Sequence, residues 1–278
     1  MMPDPHHAAP QRGRAAGVAF LHRPGTGNAP PLVLLHGIGS NAESWGPLLT
    51  ALDPAIDAIA WDAPGYGASE PLAEAAPTPT HYAVCLAMFL AALRLDRVSV
   101  AGHSLGALFA ARFAVARPMQ VAAMALLSPA LGYGVAVGAP LPPAGQARID
   151  DLDRLGPAEF AAQRAHRLVH RADDKTAVLA GVRRAMAGVR SPGYAQAVRA
   201  LGSGTLLADA ARIAAPTLVA VGAEDVVTPP DNARSVHAAL RHKGALEVVP
   251  DAGHALPQEA PSVVAQLLAT LILEGSHV

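Results

Sequence analysis

The segment Val98-Ser99-Val100-Ala101-Gly102-His103-Ser104-Leu105-Gly106 constrains this chain more than any other. Val98 to Ala101 reads as a short buried strand, and Leu105 to Ala116 carries an unbroken helical pattern. The stretch Gly-His-Ser-Leu-Gly must therefore turn the chain from strand to helix almost within itself. A turn that sharp excludes bulky neighbours, which accounts for a glycine two residues to either side of Ser104. It also sets Ser104 at a helix N-terminus, where free N–H groups and the helix dipole favour negative charge. A plain glycine-rich turn with a capping serine is the simpler alternative.

Much of the chain repeats this strand and helix alternation. Strands are expected at Leu32 to His36, Ile56 to Trp61, Val98 to Ala101, Val121 to Leu127, Thr217 to Val221 and Leu246 to Val249. Helices are expected at Tyr82 to Leu95, Leu105 to Ala116, Asp231 to Arg241 and Pro257 to Leu273. The pattern is that of an α/β fold, a mostly parallel sheet covered by helices on both faces. The strands run into Gly, Pro or Asp, so several loops gather on one sheet edge, where such folds bind ligands.

The alternation fails between Leu131 and Arg212, where a Gly/Pro-rich lead-in gives way to Ala-, Arg- and Leu-rich helical segments. Residues 131–212 are read as an inserted helical cap, 16–130 and 213–278 as the core domain, and 1–15 as a flexible tail. From Ala147 to Ala200 the cap carries ten Arg or Lys against six acids. Solvated helix faces with internal ion pairs account for this excess. So do one or two arginines turned inward to hold a substrate carboxylate. Both readings stay open at the level of sequence.

Composition narrows the partners. A formal net charge of −1 with no basic run supplies no field for nucleic acid. The longest apolar tract, residues 121–140, is broken by Ser128, Pro129, Gly132, Gly134 and Gly138, so no membrane span is expected. The N-terminus lacks the apolar stretch of a signal peptide, which makes the cytoplasm the default location. Cys85, the single cysteine, lies in an apolar stretch and reads as an inert core residue. His6 and His7 have no nearby third ligand and read as solvated, so no metal is expected. A small-molecule substrate is the expected partner, and an apolar fraction of 51% leaves room for an interface between copies.

Taken with three further segments, the Gly102 to Gly106 turn resembles the α/β-hydrolase superfamily, serine-nucleophile branch, over nearly the whole chain from Val18 onward. Leu34-Leu35-His36-Gly37-Ile38-Gly39 looks like the oxyanion-hole loop of that fold. The resemblance implies that the backbone N–H groups of Ile38 and Leu105 face the negative oxygen of a tetrahedral intermediate. Asp62-Ala63-Pro64-Gly65-Tyr66-Gly67-Ala68-Ser69 is similar to a turn common after the next strand, with Asp62 accepting backbone hydrogen bonds. Gly222-Ala223-Glu224-Asp225 and Asp251-Ala252-Gly253-His254 supply the remaining match. A serine hydroxyl needs an imidazole base, and the base needs a carboxylate to orient it; the chain order Ser, Asp, His is the one this fold uses. Glu224, Asp231 and Asp251 compete for the acid role, but Asp225 occupies the position matching the family pattern. The resemblance thus implies a catalytic triad of Ser104, Asp225 and His254. His36 and His103 are expected to shape their loops.

The stretch from Ser191-Pro192-Gly193-Tyr194-Ala195 to Thr228-Pro229-Pro230 is similar to 3-oxoadipate enol-lactonases and their esterase relatives. The implied activity is hydrolysis of a carboxylic ester or lactone through an acyl-enzyme, with no cofactor and with a rate that falls below about pH 6.5, where an imidazole base takes up its proton. Relatives with the same triad imply a second activity, hydrolysis of a carbon–carbon bond in a vinylogous diketone. A ligand-binding protein on the same scaffold is the non-enzymatic alternative.

Overall fold

The short aliphatic runs pair side by side in one sheet. In the computed structural model, which describes residues 9–274, the strands are β1 (Gln11–Ala15), β2 (Val18–Arg23), β3 (Leu32–Leu35), β4 (Ala58–Trp61), β5 (Val98–His103), β6 (Val121–Leu127), β7 (Thr217–Gly222) and β8 (Lys243–Val249). The His6–His7 pair lies outside the described residues. Strand order is β1-β2-β4-β3-β5-β6-β7-β8. β2 pairs antiparallel with β1 and with β4, and every other neighbouring pair is parallel.

Helices follow in the order α1 (Gly46–Ala51), α2 (Pro79–Ala92), α3 (Leu105–Ala116), α4 (Pro143–Arg164), α5 (Thr176–Ala187), α6 (Gly193–Ser203), α7 (Leu206–Ala210), α8 (Pro230–Ala239), α9 (Leu256–Glu259) and α10 (Pro261–Ala269). Alternate strand residues feed opposite faces of the sheet. Val33, Leu35, Trp61 and Val100 pack with Tyr82 and Phe109 of α2 and α3. Leu32, Leu34, Ala60 and Ala101 pack with Leu48 of α1 and Leu268 of α10. Burial on both faces makes the central strands read as continuous aliphatic runs. Tyr82 stacks on Phe109 with ring centroids 4.1 Å apart, anchoring α2 to α3. Cys85 packs at the margin of this core, where burial pushes its thiol up to about 11.

Two expectations need correction. Residues 11–15, read as part of a flexible tail, form β1. A two-residue turn with positive φ at Ala16 (46°) and Gly17 (79°) joins it to β2 and matches the twist of a hairpin. The turn lacks the Asn or Asp that marks such hairpins in sequence, and ion pairs Arg14–Glu70 (2.6 Å) and Arg12–Glu43 hold the strand from its flank. The single helix expected from Pro257 to Leu273 is broken, because Pro261 has no N–H to continue α9 and starts α10 instead.

Between β6 and β7 the chain runs through α4 to α7, with α4 kinked at Gly156 (φ 72°) just before Pro157. Side chains of α4, α5 and α6 share one cavity with Ser104 and His254. The helices expected for residues 131–212 therefore lie over the C-terminal edge of the parallel strands. Among the described residues no helix is long and apolar enough to cross a membrane, and no group of His, Cys, Asp and Glu has the arrangement of a metal site.

Candidate active site

Parallel pairing brings the ends of β5, β7 and β8 to the same edge, so residues more than 100 positions apart in sequence meet there. Ser104 follows β5 with φ 52° and ψ −114°, a left-handed conformation costing a non-glycine residue on the order of 1–3 kcal/mol. Its neighbours over-determine it. The Ser104 N–H donates to Leu127 O at 2.9 Å, and the Ala130 N–H donates to Ser104 O at 3.2 Å. A Cβ on Gly106 would lie 2.1 Å from Leu35 O, and one on Gly102 2.4 Å from Gly106 O. Both glycines thus stand where β3, β5 and α3 approach too closely for a side chain.

His254 Nε2 lies 3.1 Å from Ser104 Oγ, and its Nδ1 lies 2.9 Å from Asp225 Oδ2. All three residues are buried. Among the four acids weighed from sequence, only Asp225 reaches His254, while Glu224, Asp231 and Asp251 are exposed. The other Asp225 oxygen accepts the N–H groups of Val227 and Thr228, both at 2.8 Å. Burial opposes a charged carboxylate here, but the hydrogen bond and charge of His254, joined by the two N–H donors, outweigh it and bring Asp225 down to about 2. With Asp225 ionised, Nδ1–H points at the carboxylate and Nε2 is left as the acceptor facing Ser104. The N–H groups of Ile38 and Leu105 have no intramolecular acceptor among the described residues. Ile38 lines the same cavity as Ser104, and Leu105 N–H opens α3 directly after it.

The two histidines expected to shape loops do so. His36 Nδ1–H donates to Gly37 O at 2.8 Å while its Nε2 accepts the Ala63 N–H at 2.9 Å, tying the Ile38 loop to the turn after β4. Asp62 in that turn accepts the Ala42 N–H at 2.8 Å. His103 Nε2–H donates to His254 O at 2.7 Å and so pins the His254 loop to the serine turn. Sequence reasoning misses Thr228 as a partner of Asp225, although an acceptor Asp followed at three residues by Thr is a recognisable turn signal. Its hydroxyl lies 2.9 Å from Asp225 Oδ2 and 3.0 Å from Ser128 O, within reach of donating to either.

Two titratable groups here tie the expected stability to pH. Burial first, then the charge of His254, lowers His103 from the usual 6.5 to about 3. The folded state therefore refuses a proton that the unfolded chain accepts between about pH 6.5 and pH 3, and stability falls through that window on acidification. Asp225 adds to the loss from about pH 4 to pH 2, where the unfolded chain protonates first. The urea midpoint is expected to drop between pH 7 and pH 4.5 by the equivalent of a few kcal/mol, on the order of 1.4 kcal/mol per pH unit for His103 alone. His103→Gln should flatten the slope; an equally steep variant would rule out His103 as its source.

Ser104 and His254 line a cavity of about 590 Å³. Phe160, Met186, Leu131 and Leu201 make its apolar wall, and Arg148, Arg164, Arg167 and Asp151 supply its charge. Asp151 is already neutralised, by Arg164 at 2.6 Å and Arg154 at 2.9 Å. Arg148, half-buried beside the Tyr194 hydroxyl, and Arg167 have no carboxylate partner among the described residues. Some arginines of the basic segment thus pair internally, while others face the cavity.

A family profile described as alpha/beta hydrolase fold matches residues 30–261. A 2-hydroxy-6-oxononadienedioate/2-hydroxy-6-oxononatrienedioate hydrolase from Pseudomonas putida is 28% identical over 238 residues, covering 81% of this chain and 82% of that one. Against several other curated relatives that it matches, the chain spans only about two fifths of their length or less (34%, 38% and 41%). Among solved structures, a thermophilic esterase from Thermogutta terrifontis superimposes with a TM-score of 0.83 at 23% identity, over 96% of this chain and all (100%) of that one. The enol-lactonase from Burkholderia xenovorans gives 0.81 at 22% identity, over 94% and 99% of the two chains. At such identities the superpositions show a shared fold, while the chemistry has to be argued from the side chains above.

Proposed function

Since the chain belongs to the alpha/beta hydrolase fold family, we propose that it is a serine hydrolase cleaving a carboxylic ester or lactone of a small, carboxylate-bearing molecule. The observation that carries this reading is the continuous contact from Ser104 Oγ through His254 to Asp225 at the floor of the cavity. In the first step Ser104 Oγ bonds to the carbonyl carbon, its proton passes to His254 Nε2, and the carbonyl electron pair moves onto oxygen between the Ile38 and Leu105 N–H groups. Breaking the carbon–oxygen bond then sends that proton to the leaving oxygen. Water repeats the sequence on the acyl-enzyme, giving up a proton to His254 and releasing Ser104. Asp225 stays ionised throughout and stabilises the imidazolium.

The carboxylate preference rests on the cavity's charge. Three arginines face a single acid that is already paired, so an anionic group entering beside Arg148 finds an uncompensated guanidinium suited to two parallel hydrogen bonds. The match to a Pseudomonas putida hydrolase of a dienedioate, itself doubly carboxylated, supports a second reading, cleavage of a carbon–carbon bond in such a diketone. The same triad and arginines serve both.

The test compares wild type with Ser104→Ala and Arg148→Met on p-nitrophenyl acetate, on a p-nitrophenyl ester ending in a carboxylate, and on a dienedioate ring-fission product. Fluorophosphonate labelling is followed by mass spectrometry. Ser104→Ala should lose both turnover and label. Arg148→Met should raise KM for the carboxylate ester by about tenfold to a hundredfold and leave the acetate unchanged. A folded wild type without turnover or label would overturn the serine mechanism, and equal loss on both esters would overturn the carboxylate preference. Release of a dienoate and a short acid would move the reaction to carbon–carbon cleavage.

A further inference from the structure

Glu259 belongs to α9, five residues beyond His254, and its side chain is fully buried (0% exposed). A carboxylate removed from water needs partners, and Glu259 has three. Its Oε1 accepts the N–H of Gly253, the residue directly before His254, at 2.9 Å. Its Oε2 accepts the His170 N–H at 2.9 Å and faces Lys175 Nζ at 3.2 Å. His170 and Lys175 lie between α4 and α5, in the segment inserted between β6 and β7. The same segment grips the other side of the base, since the Ala255 N–H donates to Leu168 O at 2.8 Å. Lys175 also donates to the Asp251 carbonyl.

Gly253 is the joint of this arrangement. A Cβ there would lie 2.8 Å from His170 N, 3.1 Å from Glu259 Oε1 and 3.2 Å from Leu168 O. The inserted segment therefore presses directly on the backbone that carries the imidazole, with no side chain between. Leu168 itself lines the substrate cavity, so one short stretch both shapes the cavity and brackets His254.

We propose that Glu259 is a positioning residue that locks the 168–175 segment and the His254 loop into one unit, so that the imidazole is aligned on Ser104 only while the inserted helices are seated. This rests on the serine-hydrolase reading for its kinetic consequence, though not for the clip itself. A displacement of about 1 Å at a base can cost up to 10²-fold in rate, and His254 Nε2 at 3.1 Å from Ser104 Oγ has little slack. Ground-state binding does not pass through this contact, so kcat carries the effect.

The experiment compares wild type with Glu259→Gln, Glu259→Ala and Lys175→Met on p-nitrophenyl acetate, with active sites counted by fluorophosphonate titration so that unfolded protein drops out. The kcat per titrated site is expected to fall about tenfold in Glu259→Gln, which keeps one acceptor oxygen, and further in Glu259→Ala, at an unchanged KM. Lys175→Met, which keeps both N–H bonds, should lose less. The rate constant for labelling Ser104 should fall in the same order. Hydrogen exchange gives a readout independent of turnover. In Glu259→Ala the amides of His170 and Gly253 should lose protection together with Ala255. An unchanged kcat per site in all three variants, or exchange that rises on one side of the clip alone, would overturn the proposal. Loss of activity confined to a smaller count of titratable sites would assign Glu259 to folding only. A wild type that is neither active nor labelled would fail the serine-hydrolase reading, while exchange would still decide the clip.

Discussion

Asp225→Asn is expected to lower kcat for ester hydrolysis by roughly 10³- to 10⁴-fold without unfolding the protein. The reason lies in which atoms of the side chain are already committed. Val227 and Thr228 both donate N–H groups to one oxygen of Asp225, and an asparagine must keep its only oxygen there. Its NH₂ group is then turned to His254 Nδ1, which must become an acceptor. The imidazole proton moves to Nε2, and the nitrogen that faces Ser104 can no longer take a proton. Thr228, within 3.1 Å of Nδ1 and 2.9 Å of the replaced oxygen, cannot reverse this with a single hydroxyl. Steady-state kinetics at pH 8 beside a urea melt of the same sample is the check. A variant within tenfold of wild type would mean that Asp225 does not set the tautomer.

Gly106→Ala should cost at least about 3 kcal/mol or prevent folding. Its Cβ would come within 2.1 Å of Leu35 O and 2.9 Å of His36 O. Both are backbone atoms at the end of β3, and β3 is locked between β4 and β5 by parallel pairing. Neither can retreat as a flexible side chain would. Gly46→Ala is the control, because nothing lies within 4 Å of its Cβ and its φ of −48° suits any residue. It should be neutral or stabilising by a few tenths to about 1 kcal/mol. Equal urea midpoints for the two variants would contradict the close approach of α3 to β3.

The structure brings together the residues singled out in sequence for a local reason. Ser104, Asp225 and His254 each lie in the loop that follows a strand, in turns whose glycines and short polar residues leave a pattern readable without knowing what lies opposite. The roles implied for Ile38 and Leu105 use backbone groups, and those depend on chain path rather than side chain. The partners of Thr228, His103, Arg148 and Glu259 are not legible in sequence, because only the packed chain supplies them. His103 reaches His254, and Glu259 reaches Gly253 beside it, across 151 and 6 residues of sequence by contacts to backbone atoms, which leave no complementary side chain to notice.

The same division runs through the fold. The sequence by itself determined the parallel sheet, because strands buried on both faces must be aliphatic throughout and their connecting helices must be long. It also determined the serine turn, since only glycine fits where strand and helix nearly touch. Only the tertiary structure decided that residues 11–15 join the sheet, for an exposed edge strand carries no hydrophobic signature and its turn uses Ala-Gly. It alone decided which arginines of the inserted helices meet Asp151 and which face the cavity, because the direction of a long charged side chain is set by neighbours distant in sequence. For the same reason it alone set the bracket around His254, where a buried carboxylate, a lysine and three backbone N–H groups meet from two separate parts of the chain.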